Sequence, residues 1–160
     1  MEHAAATVAD LLADAVQATI DHRVPQAARE AVAELVGVDE RAAPESTGGP
    51  AQLLGMLTLV HWLGLVHEET TDRPGRTEEA LDRVAELLGS RYRARARYVA
   101  GALRGEEAAA QVQEGRAALQ EEFLPALVWL AAGAVAEFGA GDVEWLRKLE
   151  NGTTVADMFG

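Results

Sequence analysis

Apolar residues recur along the chain at the spacing of one face of an α-helix. From about Ala4 to His22 they fall three or four residues apart, which predicts an amphipathic helix. The same periodicity predicts further helices over about Gln26–Val36, Ala51–Glu69, Thr77–Leu103, Glu106–Phe138 and Asp142–Leu149. No run alternates as a strand does. The pattern therefore predicts an all-α fold: a single compact bundle of five to six mostly antiparallel helices, with residues 1–160 forming one domain.

Glycine and proline divide these helices. Gly37 suits the C-terminal cap of the second helix, and Val38–Pro50 is predicted to be the main loop. Thr70–Arg76 is predicted to be a second loop, after which Thr77 caps the fourth helix. Pro125 is expected to kink or split the fifth helix.

Two of the predicted helices contain a run with no polar face. Leu53–Val66 and Phe123–Ala136 are apolar all round. Each has 14 residues, too few to span a bilayer, so we expect no membrane association. Both sides of such a helix need cover. Three arrangements provide it: a central pair inside the bundle, a homodimer interface, or a groove for a partner helix or an apolar ligand.

Small residues lie within both apolar runs. Gly55, Gly64 and Gly133 cost helix stability, and they permit close approach of neighbouring helices. Packing is the expected reason for their positions. The runs also contain Trp62 and Trp129, which are candidate contacts for an apolar ligand.

A few polar residues fall on these apolar faces and are candidates for a site. His61 and Glu68 lie on the same side of the third helix as Gly64, and a ligand can lie between them; the alternative is that His61 is a core histidine. Arg116 and Glu137 bracket the inward stripe of the fifth helix. A carboxylate beside an apolar wall holds its proton more tightly than in water, which suits an acid or base.

The segment Arg91–Tyr98 contains four arginines, but helical geometry separates them. Arg93 and Arg97 fall on the solvent face, Arg91 on a flank, and Arg95 at the edge of the core face. Arg95 is therefore the candidate anion anchor. The formal net charge of -12 also opposes a phosphate backbone, so we expect no nucleic-acid partner.

Composition limits the chemistry and indicates an origin. The chain has no cysteine and lacks Glu-x-x-His pairs and a nucleophile elbow, so we expect no metal and no cofactor. Lys148, Ile20 and Asn151 are the only residues of their types, which indicates a GC-rich, actinomycete-like bacterial genome. The first residues do not resemble a secretory signal, so we expect a cytoplasmic protein.

Two functions follow as hypotheses. The first is a non-enzymatic helical module, a homodimer, that binds a partner protein or a small apolar metabolite. The alternative is a cofactor-free enzyme of a specialised bacterial pathway, with His61 or Glu137 as acid or base and Arg95 or Arg116 holding an anionic group. Convergence of His61, Glu68, Arg95 and Glu137 on one cavity would favour the enzyme.

Overall fold

The computed structural model describes residues 2–42, 50–72, 75–103 and 109–150, with the backbone alone for residues 2–6, 40, 42, 50, 103 and 109–122. In this part of the chain every regular element is an α-helix, which confirms the all-α fold. The helices are α1 (Glu2–His22), α2 (Gln26–Ala42), α3 (Pro50–Glu69), α4 (Arg76–Leu88), α5 (Ser90–Leu103) and α6 (Ala109–Phe138), followed by the short α7 over residues 144–150.

The second half of α6 is the centre of the bundle. Residues 125–135 are all buried, and α1, α2, α3, α4 and α5 each contact this helix. The absence of a polar face in Phe123–Ala136 has a direct cause, because neighbours surround the helix on every side. Pro125 is buried within α6 and does not split it.

The third helix is apolar all round, but it is not surrounded. One side packs into the core through Leu59, Trp62 and Leu65. The opposite side is open, with Leu53 51% and Leu57 54% exposed. Among the described residues, the apolar run in α6 is central and the one in α3 lies at the edge of the bundle. The prediction of two central apolar helices therefore needs this correction for α3.

The predicted fourth helix is two helices, which raises the total from the predicted five to six up to seven within the described part of the chain. The break is at Gly89, whose backbone has φ 110° and ψ 164°. Only glycine adopts this conformation without strain. The chain therefore turns between Leu88 and Ser90, and α5 packs back along α4 and against α6.

The second helix continues past its predicted end. Gly37 lies inside α2, which runs to Ala42, so Asp39 belongs to the helix and not to a loop. The Asp39 side chain is buried and accepts hydrogen bonds from the backbone N–H groups of Ala51 and Gln52, at 2.7 and 3.0 Å. These are N–H groups of the first turn of α3, which have no partner within their own helix. Asp39 thus caps α3 from a neighbouring helix.

Two glycines allow neighbouring helices to approach closely, as predicted. A Cβ atom added to Gly133 of α6 would collide with the Ala80 carbonyl oxygen of α4 and lie 2.6 Å from Val84 Cγ2. One added to Gly55 of α3 would lie 2.9 Å from Leu35 Cδ1 of α2. Gly64 is different, because it has open space around that position. Within the described part of the chain, close packing therefore does not account for its presence in α3.

The length and hydropathy of the described helices show whether any of them could span a membrane. None of them combines the length and the apolar character that a bilayer crossing needs.

Candidate functional site

A pocket of about 350 Å³ opens beside α3, between α3, α4, α5 and α6. Its volume lies in the range of small-molecule sites, which is about 300–1,000 Å³. Gly64 lies at its rim on the exposed side of α3. The missing side chain at this position leaves the rim open. The pocket is therefore a cleft that small molecules can reach from solvent.

Small and branched apolar side chains form the walls. Ala80 of α4, Ala100 of α5 and Ala134 of α6 are buried and occupy the floor. A larger residue at any of these three positions would fill the space. The remaining apolar lining residues are Val60, Leu63, Val66, Leu130 and Phe138. The body of a molecule bound here would contact hydrocarbon on most sides.

One end of the pocket is polar and lies where α3 ends and α4 begins. It consists of His67 and Thr70 from α3 and its following turn, with Arg76 and Thr77 from the first turn of α4. Thr70 is buried, and its hydroxyl donates to the Val66 carbonyl at 2.7 Å. The pocket is thus apolar along its length with a cationic group at one end.

Arg76 joins the two helices at this end. Its Nη1 donates to the carbonyl oxygens of Thr70 at 3.3 Å and Thr71 at 3.1 Å. Its other edge faces the His67 ring, with Nε 3.3 Å from Nδ1 and Nη2 2.8 Å from Nε2. A guanidinium near the last carbonyls of α3 also suits the negative end of that helix.

Two predicted site residues of α3, His61 and Glu68, lie on its exposed side. His61 is thus not a core histidine. Neither side chain lines the pocket, although Gly64 between them does.

The predicted ligand contact Trp62 is buried on the opposite side of α3. Its indole N–H donates to Glu150 Oε2 at 2.6 Å, which ties α7 to α3. The guanidinium of Arg147 lies 6.0 Å from the ring centroid, and its Nη1 is 3.1 Å from Asp10 Oδ1 of α1. Trp62 therefore joins three helices away from the pocket.

Trp129 and Arg95 are brought together around Tyr92. The Tyr92 ring meets Trp129 edge-on, with 4.9 Å between centroids, and the Arg95 guanidinium lies 5.7 Å from the Tyr92 centroid. Trp129 is fully buried and donates its N–H to the Pro25 carbonyl at 3.2 Å. This cluster also does not line the pocket.

Glu137 is ion-paired with α4. Its Oε2 lies 2.6 Å from Arg83 Nε, and Arg83 also contacts Glu86. The hydrogen bond and charge of Glu137 raise the pKa of the Arg83 guanidinium above its ordinary value. Glu137 therefore lacks the isolated apolar setting that the acid or base hypothesis supposes. The prediction for Arg116 lies outside the described side chains.

Two arginines of α5 are paired across the α4–α5 hairpin. Arg93 contacts Glu78 at 2.7 Å and Asp82 at 3.2 Å, and Arg97 contacts Glu78 at 3.3 Å. These contacts take up the positive charge of both side chains on the surface of α5.

The sequence reasoning missed the polar end of the pocket. His67 precedes the predicted loop Thr70–Arg76, Arg76 is the last residue of that loop, and neither matches a site motif. The available signal was their position: one residue near the end of an apolar helix and the other at the start of the next. Short connections place such residues close together.

Comparisons with known proteins give no family. No family model matches the chain, and neither a curated protein nor a solved structure matches it. Within the described ranges, no group of three or more His, Cys, Asp or Glu side chains is arranged to hold a metal ion.

Proposed function

We propose that this protein is a non-enzymatic binding module for a small apolar metabolite, which it holds in the pocket between α3, α4, α5 and α6. The observation that carries the proposal is the pocket itself, about 350 Å³ with predominantly apolar walls. Such a cavity favours an apolar body through the burial of hydrocarbon surface.

The way in which the pocket is formed supports this proposal. Three of the buried lining residues are alanines, where larger residues would fill the space, and Gly64 lies at the rim. A glycine inside an exposed helix face is unfavourable by about 0.5–1 kcal/mol relative to alanine. Proteins accept such costs where function requires them.

Binding is favoured over catalysis because of where the candidate acids and bases lie. His61 and Glu137 are both outside the pocket lining, and Glu137 contacts Arg83. The lining residues supply apolar contact, the Arg76 cation and the polar groups of His67, Thr70 and Thr77, which suffice for recognition.

We further propose that the protein is a homodimer that associates through α3. The exposed side of α3 presents Leu53 and Leu57 in line with Gly64, at helical spacings of four and seven residues. An apolar stripe that the described part of its own chain leaves uncovered is typical of an interface. This interface would lie next to the opening of the pocket.

The pocket proposal is tested with a neutral apolar probe. Isothermal titration with 1-decanol should show saturable binding of one molecule per chain. The variant Ala100→Leu, which fills the floor of the pocket, should weaken this binding at least tenfold, because the inserted isobutyl group occupies the space of the ligand.

A matched control uses the neighbouring exposed position of the same helix. Ala102→Leu adds the same atoms outside the pocket and should leave decanol affinity unchanged. Equal loss in both variants, or no saturable binding by the wild-type protein, contradicts the proposed function.

A further inference from the structure

The polar end of the pocket specifies the ligand more closely, and we infer that the ligand is an apolar carboxylic acid bound as its anion by Arg76. This inference rests on the proposed function of the pocket. It deepens that function by assigning the head group of the ligand. The argument depends on which N–H groups of Arg76 the protein satisfies.

One edge of the Arg76 guanidinium is fixed by the protein. Nη1 donates to the carbonyl oxygens of Thr70 and Thr71, which follow the last turn of α3. These bonds hold the plane of the guanidinium at the end of the pocket. The orientation of the second edge is thereby set before any ligand arrives, which reduces the entropy lost on binding.

The second edge of Arg76 has more N–H donors than the protein offers acceptors for. It carries the Nε–H and the one Nη2–H that points in the same direction, and all of its contacts are with the ring of His67. An imidazole ring offers at most one acceptor nitrogen. At least one N–H on this edge therefore has capacity for a ligand, and the parallel Nε–H and Nη2–H directions match the two oxygens of a carboxylate.

The charge environment of Arg76 differs from that of three arginines on α4 and α5. Arg83, Arg93 and Arg97 each lie within salt-bridge distance of a carboxylate. Among the described residues, Arg76 makes no such contact, and no carboxylate side chain lines the pocket. A ligand carboxylate would supply the missing counter-charge.

His67 is the group that the ligand would displace. Its side chain is exposed, so rotation into solvent removes little buried surface. A carboxylate is a stronger acceptor for a guanidinium than an imidazole nitrogen, because the hydrogen bonds are assisted by charge on both partners. The carboxylate then takes the position of the ring, with the hydrocarbon chain along Leu130 and Ala134.

Decanoate and 1-decanol test this inference, because they share a chain and differ in head group. At pH 7 the wild-type protein should bind decanoate at least tenfold more tightly than decanol. Arg76→Gln should reduce this ratio to within about twofold of unity, and Arg76→Lys should leave an intermediate ratio. The ratio within each variant corrects for any general effect of the substitution on the pocket.

The variant His67→Ala tests whether the ligand carboxylate displaces the His67 ring from Arg76 or whether that ring itself binds the ligand. It should raise the ratio of decanoate affinity to decanol affinity about two- to fivefold, since a competing acceptor for Arg76 is removed. A lower ratio in this variant would overturn the displacement step.

The remaining outcomes distinguish this inference from the proposed function. If decanol binds in the pocket and decanoate binds no better, the assignment of the head group is wrong and the apolar binding function stands. If neither molecule binds, the proposed function itself fails.

Discussion

Single glycines have opposite roles in this bundle, according to what surrounds the missing side chain. Gly133 lies against the Ala80 backbone of α4, and any side chain there would force two helices apart. At Gly64, no described atom other than its chain neighbours and its own helix backbone lies within 4 Å of the corresponding position. The same residue type thus permits packing in α6 and leaves an opening in α3.

The two glycines should therefore respond oppositely to alanine. We expect Gly64→Ala to raise the free energy of unfolding by about 0.5–1 kcal/mol, because alanine restricts the unfolded chain and meets no neighbour. Gly133→Ala should lower it by about 1–3 kcal/mol, because the helices must separate. Urea unfolding monitored by circular dichroism measures both. A loss of stability at Gly64 would show instead that the partner chain of the proposed dimer packs closely against this position of α3.

At the scale of elements, the start of α3 depends on a residue from α2. Burial alone would raise the pKa of the Asp39 carboxyl, but the hydrogen bonds from Ala51 and from Gln52, through both its backbone and its side chain, outweigh burial and lower it below the ordinary value of 3.8. The ionised form therefore stabilises the fold. This contribution is complete above the unfolded-state pKa of 3.8 and is lost as the pH falls through the lower folded-state value.

We expect Asp39→Asn to lower the free energy of unfolding by about 1 kcal/mol at pH 7. The difference from wild type should stay constant down to about pH 5 and shrink below about pH 4, as the wild-type carboxyl gains its proton. Urea titrations at several pH values give this difference. Asp14→Asn, an exposed substitution on α1, serves as the control and should show no such pattern. A difference that grows on acidification would contradict the cap.

Element boundaries show what local sequence can and cannot predict here. The amphipathic period of α1 and the apolar run of α6 were sufficient to predict that these segments are helices, because each pattern reflects burial along one helix. The cap formed by Asp39 was not predictable, since its partners are 12 and 13 residues away along the chain. Gly37 and Gly89 are both glycines within an amphipathic segment, which is the usual signal of a helix end. Of these two, only Gly89 interrupts a helix, and the packing around each residue decides this outcome.

For the whole molecule, the sequence predicted the bundle but not its centre. Both apolar runs looked alike, and only the arrangement of five helices around α6 distinguishes them. The pocket could not be predicted from the sequence either, because its lining comes from four helices and its cation, Arg76, matches no motif. Of the predicted site residues, Trp129 and Arg95 meet at Tyr92, whereas His61 and Glu68 lie on the open side of α3.

The open side of α3 leads to a prediction about assembly. Light scattering should give twice the chain mass of 17.0 kDa. The double variant Leu53→Gln with Leu57→Gln should return the protein to a monomer, because it removes the apolar contact. Since each chain carries a formal charge of -12, the dimer should strengthen as salt screens the repulsion.

The matched control for assembly replaces exposed apolar residues elsewhere. Val24→Gln with Val38→Gln changes side chains that are 42% and 41% exposed and lie outside α3. This variant should remain dimeric. A wild-type monomer at high protein concentration would rule out the interface on α3.

The central position of α6 also has a consequence for biosynthesis. Proteins are made from the N-terminus, at about 5–20 residues per second. All five helices that surround α6 precede it in the chain, so their apolar sides have no central partner until residues 125–135 have been translated. The nascent chain therefore cannot close its core as it is made, and chaperones that shield exposed apolar segments have their longest opportunity to act before α6 leaves the ribosome.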